Sequence, residues 1–108
     1  MPRGDLVAVA LQGDFGKPRP ALILQSDWFD AHPTVTLLPV TSTVLDAPHL
    51  RVTLEPSARN GLHTTSQVMV DKTMTVRREK IGALLGRVEP ERMQEIERCL
   101  AVFLGVVK

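Results

Sequence analysis

Short runs of β-branched and small apolar residues, each cut off by glycine, proline or a small polar cluster, fill most of the chain and leave room for only one amphipathic helix. The runs are Asp5 to Leu11 (DLVAVAL), Ala21 to Gln25 (ALILQ), Thr34 to Val40 (TVTLLPV), His49 to Glu55, Ser66 to Asp71 (SQVMVD), Thr73 to Val76 (TMTV) and Ile81 to Val88 (IGALLGRV). In HLRVTLE, Leu50, Val52 and Leu54 alternate with Arg51, Thr53 and Glu55, the period of a strand with one wet face. Pro39 is tolerated only at an edge, a bulge or a strand end, and Gly82 and Gly86 suggest a bulge or close packing in the last run. The punctuation is equally clear. GDFGKPRP, Gly13 to Pro20, reads as a surface loop, Ser26-Asp27 before Trp28-Phe29-Asp30 as a short capped helical turn, and PSARNGL as another turn.

Helical periodicity appears at the C-terminus. Pro90 suits the first helical position, Glu91 opposes the positive end of the helix, and Met93, Ile96, Leu100, Phe103 and Leu104 form one apolar stripe with Cys99 beside it. The expected architecture is therefore mainly β with α: a small, partly open barrel or twisted sheet with the terminal helix packed across it. With 108 residues the chain forms a single domain, 1–108, with one core. A chain of this size buries only roughly 65% of its unfolded surface, which makes a homodimer a reasonable expectation.

Composition narrows the function classes. Thirteen Lys and Arg against twelve Asp and Glu leave a net charge of +1, so any site for a polyanion must be local. Cys99 has no partner for a disulfide, and His32, His49 and His63 are too scattered for a metal motif and read as surface residues. No leader-like or membrane-spanning apolar run is present, so the cytoplasm is the expected compartment and no membrane partner is expected.

Three places could carry chemistry. Arg19, between Pro18 and Pro20 and close to Lys17, should be held with little freedom to lose on binding, which suits a bidentate grip on phosphate; its plain alternative is a solvated ion pair. Thr41, Ser42 and Thr43 follow a buried-looking strand, where hydroxyls either meet a ligand or merely cap local turns. Asp71 and Lys72, with Arg77-Arg78-Glu79-Lys80 beyond, place a carboxylate amid positive charge, although such runs are most often solvated faces. No nucleophile with a linked base and no glycine-rich phosphate loop is evident. An arginine, hydroxyls and a carboxylate could assist a reaction whose nucleophile belongs to the substrate, as the 2′-hydroxyl of RNA does; this permits RNA cleavage without selecting it.

The blocks RGDLVAVAL, GKPRPALILQSD, PVTST and VMVDKTMTVRREKIGALLGRV, in this order and spacing, resemble the MazF/PemK toxins of bacterial toxin-antitoxin modules over nearly the whole chain. The resemblance implies an SH3-like β-barrel with helices, a homodimer, cofactor- and metal-independent, sequence-specific cutting of single-stranded RNA, and inhibition by a cognate antitoxin. Carried over by position, it gives catalytic roles to Arg19, which would stabilise charge on the scissile phosphate, to Thr41, which would hold a phosphoryl oxygen or the attacking hydroxyl, and to Asp71. Ser42 falls on a supporting polar position; Phe15 would stack on a base or tuck against its loop, and Lys17, Lys72, Arg77 and Arg78 would offer charge to RNA. Two departures stand out: Met69 occupies a position where some members have arginine, and Phe15-Gly16-Lys17 replaces a stretch where some have histidine. The general base thus remains open among Asp71, Lys17 and an arginine pair acting through water. A gyrase-binding toxin of the CcdB type shares the fold and is the alternative, disfavoured by the arginine loop with Thr41 and by the FLGVVK ending. A peptide-binding adaptor is disfavoured by 4% aromatics and no tyrosine.

Overall fold

The computed structural model describes residues 2–10 and 17–107. Its elements are β1 (Asp5–Ala10), β2 (Pro18–Ile23), a 3-10 turn at Asp27–Phe29, β3 (Thr34–Thr41), β4 (Arg51–Leu54), β5 (Ser66–Met69), β6 (Met74–Arg77), a 3-10 turn at Arg78–Lys80, β7 (Ile81–Arg87) and α1 (Pro90–Phe103). Ser26 caps the first 3-10 turn by accepting from the Trp28 amide, as its sequence suggests. All ladders are antiparallel, in the order β4-β5-β3-β2-β1-β7, with β6 also on β3.

β3 works because one of its edges changes partner. Thr34 to Leu37 pair with Arg77 to Met74 of β6, whereas Val40 and Thr41 pair with Val68 and Gln67 of β5. Pro39 falls between the two ladders. The Thr36 carbonyl accepts from the Leu24 and Gln25 amides on the β2 side, so the alternate residue Pro39 turns its ring nitrogen to the opposite edge, where no ladder bond is lost.

The sheet has two apolar faces. Val7, Val9, Ala21, Ile23, Val35 and Leu37 form one buried cluster, covered by Met74, Val76 and Ile81. This side is the interior of a barrel-like turn of chain through β7, β1, β2, β3 and β6, closed by the short Arg78–Lys80 turn. No β6–β7 ladder exists among the described residues, so the sheet is open and the barrel is a loose one. The other face, with Leu6, Leu22, Leu38, Val40, Val52, Leu54, Val68, Val70 and Val88, buries Ile96 of α1, with Met93, Cys99 and Leu100 packed against it. Each such fully buried aliphatic side chain contributes roughly 1.5–3 kcal/mol. The buried part of the α1 stripe ends there: Phe103 and Leu104, which continue it in sequence, are exposed. Burial and the nearby Glu95 charge push the Cys99 thiol up, in keeping with an inert residue.

The loop reading of Gly13 to Pro20 needs correction in its second half. Pro18, Arg19 and Pro20 belong to β2, opposite Ala10, Val9 and Ala8. The Ile23 carbonyl accepts from Gly4 on the β1 side, so by alternation Arg19 shares that hydrogen-bonding side while both proline nitrogens face β3. The prolines stop the β2–β3 ladder at Ala21–Pro39 and leave the β1–β2 ladder intact. The turn 56–62 is a corner that ties β4 to β7 and the start of α1. Asn60, fully buried, donates to the Glu55 carbonyl and to Glu89, and its Oδ1 accepts from the Ser57 and Leu62 amides. The Arg87 amide donates to the Arg59 carbonyl at 2.8 Å, and Arg87 Nη1 donates to buried Asp5 at 2.8 Å.

Two stability measurements test this corner. A Cβ on Gly86 would lie 2.4 Å from the Asn60 carbonyl group, whereas one on Gly82 would lie 3.3 Å from the Ala8 oxygen. Denaturant unfolding should therefore show Gly86→Ala losing about 2–3 kcal/mol and Gly82→Ala distinctly less. Burial pushes the Glu89 carboxyl up, but hydrogen bonds from Ser57, its own backbone and Asn60, with the Arg59 charge, outweigh it and hold the group below 4.5. A depressed carboxyl stabilises the fold above its unfolded value and loses that contribution as pH falls through the folded one. The stability advantage of the wild type over Glu89→Gln should thus be complete above pH 4.5 and shrink below it.

Candidate active site

At the end of the barrel where Pro18 and Pro20 stop the ladder, polar side chains follow the apolar ones on the same face. The last β2–β3 pair is Ala21–Pro39. Two residues further along each strand, on the face of Ala21, Ile23, Val35 and Leu37, stand Arg19 and Thr41. Thr41 pairs with Gln67 of β5, and Gln67 with Thr53 of β4. A polar row, Arg19, Thr41, Gln67 and Thr53, therefore crosses four strands, beside a row of Ala21, Pro39, Met69 and Arg51 on the same face. Arg19 is exposed and Thr41 half-buried, so the row begins at solvent and ends under the loop that follows β3.

The Thr41 hydroxyl is oriented locally. Its Oγ1 accepts from the Thr43 amide at 3.1 Å, which occupies one lone pair and leaves the hydroxyl proton to donate elsewhere. Ser42 is exposed in the same loop. Lys17 is exposed immediately before β2. Phe15 lies outside the described residues.

Asp71 follows β5 in the turn toward β6, with Met69 brought alongside Pro39 by the Val40–Val68 register. Its Oδ2 is 3.7 Å from Lys72 Nζ, while Oδ1 is enclosed and takes no hydrogen bond. An enclosed carboxylate oxygen with unused lone pairs is unusual, since buried acceptors are almost always satisfied.

Arg77 and Arg78 are not brought to this end. Arg77 pairs with Thr34, seven residues from Thr41 on an extended strand, a separation of roughly 23 Å. Arg77 is exposed and sits 3.6 Å from Glu79. Arg78 holds the connection before β3, with Nε donating to the His32 carbonyl at 2.8 Å and Nη2 to that of Phe29.

Sequence reading missed two residues here, Gln67 and Arg51. Gln67 is only 4% exposed, and the signal for it was slight: a long polar side chain alternating with Val68 and Val70 in SQVMV looks like the wet side of a strand. Among the described residues no group of His, Cys, Asp and Glu is placed to hold a metal ion, and no helix is long and apolar enough to cross a membrane.

The chain matches the model of the PemK-like, MazF-like toxins of type II toxin-antitoxin systems over residues 2–104. It is 45% identical over 107 residues, 98% of each chain, to a probable endoribonuclease MazF of Mycolicibacterium smegmatis. Its fold superposes with a TM-score of 0.85 on an endoribonuclease in complex with its cognate antitoxin from a mycobacterial species, at 28% identity and covering 100% of this chain and 98% of that one. For the Mycobacterium tuberculosis toxin MazF-mt6 the score is 0.80 at 25% identity, covering 94% and 96%. The gyrase-binding alternative finds no support in these matches. A family model matched over almost the whole chain and a relative 45% identical over 98% of it show that the chain belongs to the PemK-like, MazF-like toxin family of type II toxin-antitoxin systems.

Proposed function

We propose that this protein is the toxin of a type II toxin-antitoxin pair and acts as a sequence-specific endoribonuclease on single-stranded RNA in the cytoplasm, using the RNA's own 2′-hydroxyl as the nucleophile. The observation that supports the reading is that Arg19 and Thr41 lie on adjacent strands and one face, just beyond the end of the β2–β3 ladder. A guanidinium and a hydroxyl donor there suit the charge that develops on a phosphoryl group in transit.

The 2′-oxygen bonds to phosphorus as the bond to O5′ breaks, giving a cyclic phosphate on one fragment and a 5′-hydroxyl on the other. Arg19 stabilises the phosphoryl oxygens, and Thr41 donates its hydroxyl proton to one of them. Asp71 takes up the 2′-hydroxyl proton through Oδ2, the oxygen that faces Lys72, since Oδ1 is enclosed. Lys17, exposed immediately before β2, gives the proton that the departing O5′ takes up. Ser42 and Lys72 flank the phosphate path. Arg77 meets only an RNA long enough to run along β3, and Arg78 adds positive charge there while its donors hold the protein's own backbone.

The same exposed cations offer a docking path for an acidic antitoxin segment, which would then compete with RNA. Self-association into a homodimer is supported by the apolar residues left exposed at the end of α1 and after it, Val102, Phe103, Leu104 and Val106.

The test is cleavage of a long single-stranded RNA in EDTA by purified protein. Discrete cuts are expected from the wild type, falling by about 10²–10³-fold in both Arg19→Ala and Thr41→Ala. Intact RNA with the wild type, or unchanged cutting by both variants, overturns the assignment.

A further inference from the structure

Next to Thr41 the chain leaves the sheet, and the loop from Ser42 to Leu45 is exposed along its length. A loop of that kind needs something to hold it if the Thr41 hydroxyl is to point one way. The amide of Gln67 does so. Leu45 N–H donates to Gln67 Oε1 at 3.0 Å, and Gln67 Nε2 donates back to the Leu45 carbonyl at 3.0 Å, as a neighbouring strand would. The remaining bonds of the amide run from Nε2 to Thr53 Oγ1 at 3.2 Å and from Arg51 Nη1 to Oε1 at 3.4 Å. Every hydrogen-bonding position of this buried amide is filled, and a fully satisfied buried network is rigid.

Arg51 carries the constraint onward. The same Nη1 donates to the Thr43 carbonyl at 3.2 Å, and the Thr43 amide donates to Thr41 Oγ1. Leu45 is thus fixed by Gln67 and Thr43 by Arg51, so the Thr43 N–H is aimed at the Thr41 hydroxyl from a loop that cannot drift. Reciprocal bonding to Leu45 explains the burial of a glutamine, but a merely structural glutamine does not require Arg51 to bridge it to Thr43.

We propose that Gln67 and Arg51 are positioning residues for RNA cleavage: they hold the 43–45 segment so that Thr43 occupies a lone pair of Thr41 and the Thr41 hydroxyl is presented as a donor to the scissile phosphate. The inference rests on the site assigned above and goes beyond it, since neither side chain is placed on the RNA.

Cleavage kinetics of the full chain on one RNA test it through Gln67→Leu, Arg51→Met, Thr41→Ala and the double variant Thr41→Ala/Gln67→Leu, with thermal unfolding of each. Gln67→Leu and Arg51→Met should each lower kcat by about tenfold with KM within about twofold. The double variant should cut no more slowly than Thr41→Ala alone, because the amide acts through the hydroxyl. Losses that multiply in the double variant, a loss confined to KM, or wild-type kinetics in Gln67→Leu and Arg51→Met overturn the positioning role and leave the site assignment standing. Wild-type cleavage by Thr41→Ala overturns both. Should Gln67→Leu not fold, Arg51→Met alone and combined with Thr41→Ala decides by the same criteria.

Discussion

A β-strand has two hydrogen-bonding edges, and in β3 one of them is shared between two partners. β6 takes the first half and β5 the last two residues, with Pro39 at the handover. From that arrangement follow the barrel-like side, filled by Val35 and Leu37 with their neighbours, and the second face, where Leu38 and Val40 lie under α1. It also fixes where the chain emerges. Thr41 is the last residue of the strand, held by β5 on one edge and released on the other because Pro20 and Pro18 cannot continue the β2 ladder.

The proposed site lies where that ladder ends. Beyond the last β2–β3 pair, Ala21–Pro39, Arg19 and Thr41 stand on one face of adjacent strands. In the proposed reading a phosphate meets both of them, and the neighbouring loop adds the hydroxyls of Ser42 and Thr43. Two other shifted groups among the described residues serve structure: hydrogen bonds hold the Glu89 carboxyl ionised at the Asn60 corner, and burial with the Glu95 charge keeps the Cys99 thiol of α1 protonated. In the proposed mechanism catalysis comes from position and charge, the setting in which a network as complete as that around Gln67 would matter.

Much of this was legible in the residues. Apolar runs and their turn signals located each strand within a few residues, Ser26 announced its capped turn, and the order of GKPRPALILQSD before PVTST pointed to Arg19 and Thr41, which lie two residues beyond the last β2–β3 pair on their strands. The extension of β2 to Pro18 was hidden because prolines argue against a strand unless one knows that only one edge is in use. Gln67 and Asn60 were hidden for a different reason. A polar residue reads as solvent-facing, and its burial depends on backbone groups of Leu45, Glu55 and Leu62 that only the tertiary structure brings to it. Phe103 and Leu104 fit the helical stripe but are exposed, which periodicity alone does not show.

The central claim is that the protein positions an RNA that attacks itself. A cleaved RNA remade with a single 2′-deoxy nucleotide on the 5′ side of the scissile phosphate tests it directly. The account predicts that this one cut disappears while the other cuts in the same strand persist, with binding retained. Continued cleavage at the deoxy position would contradict it, because the nucleophile would then have to come from the protein or from water.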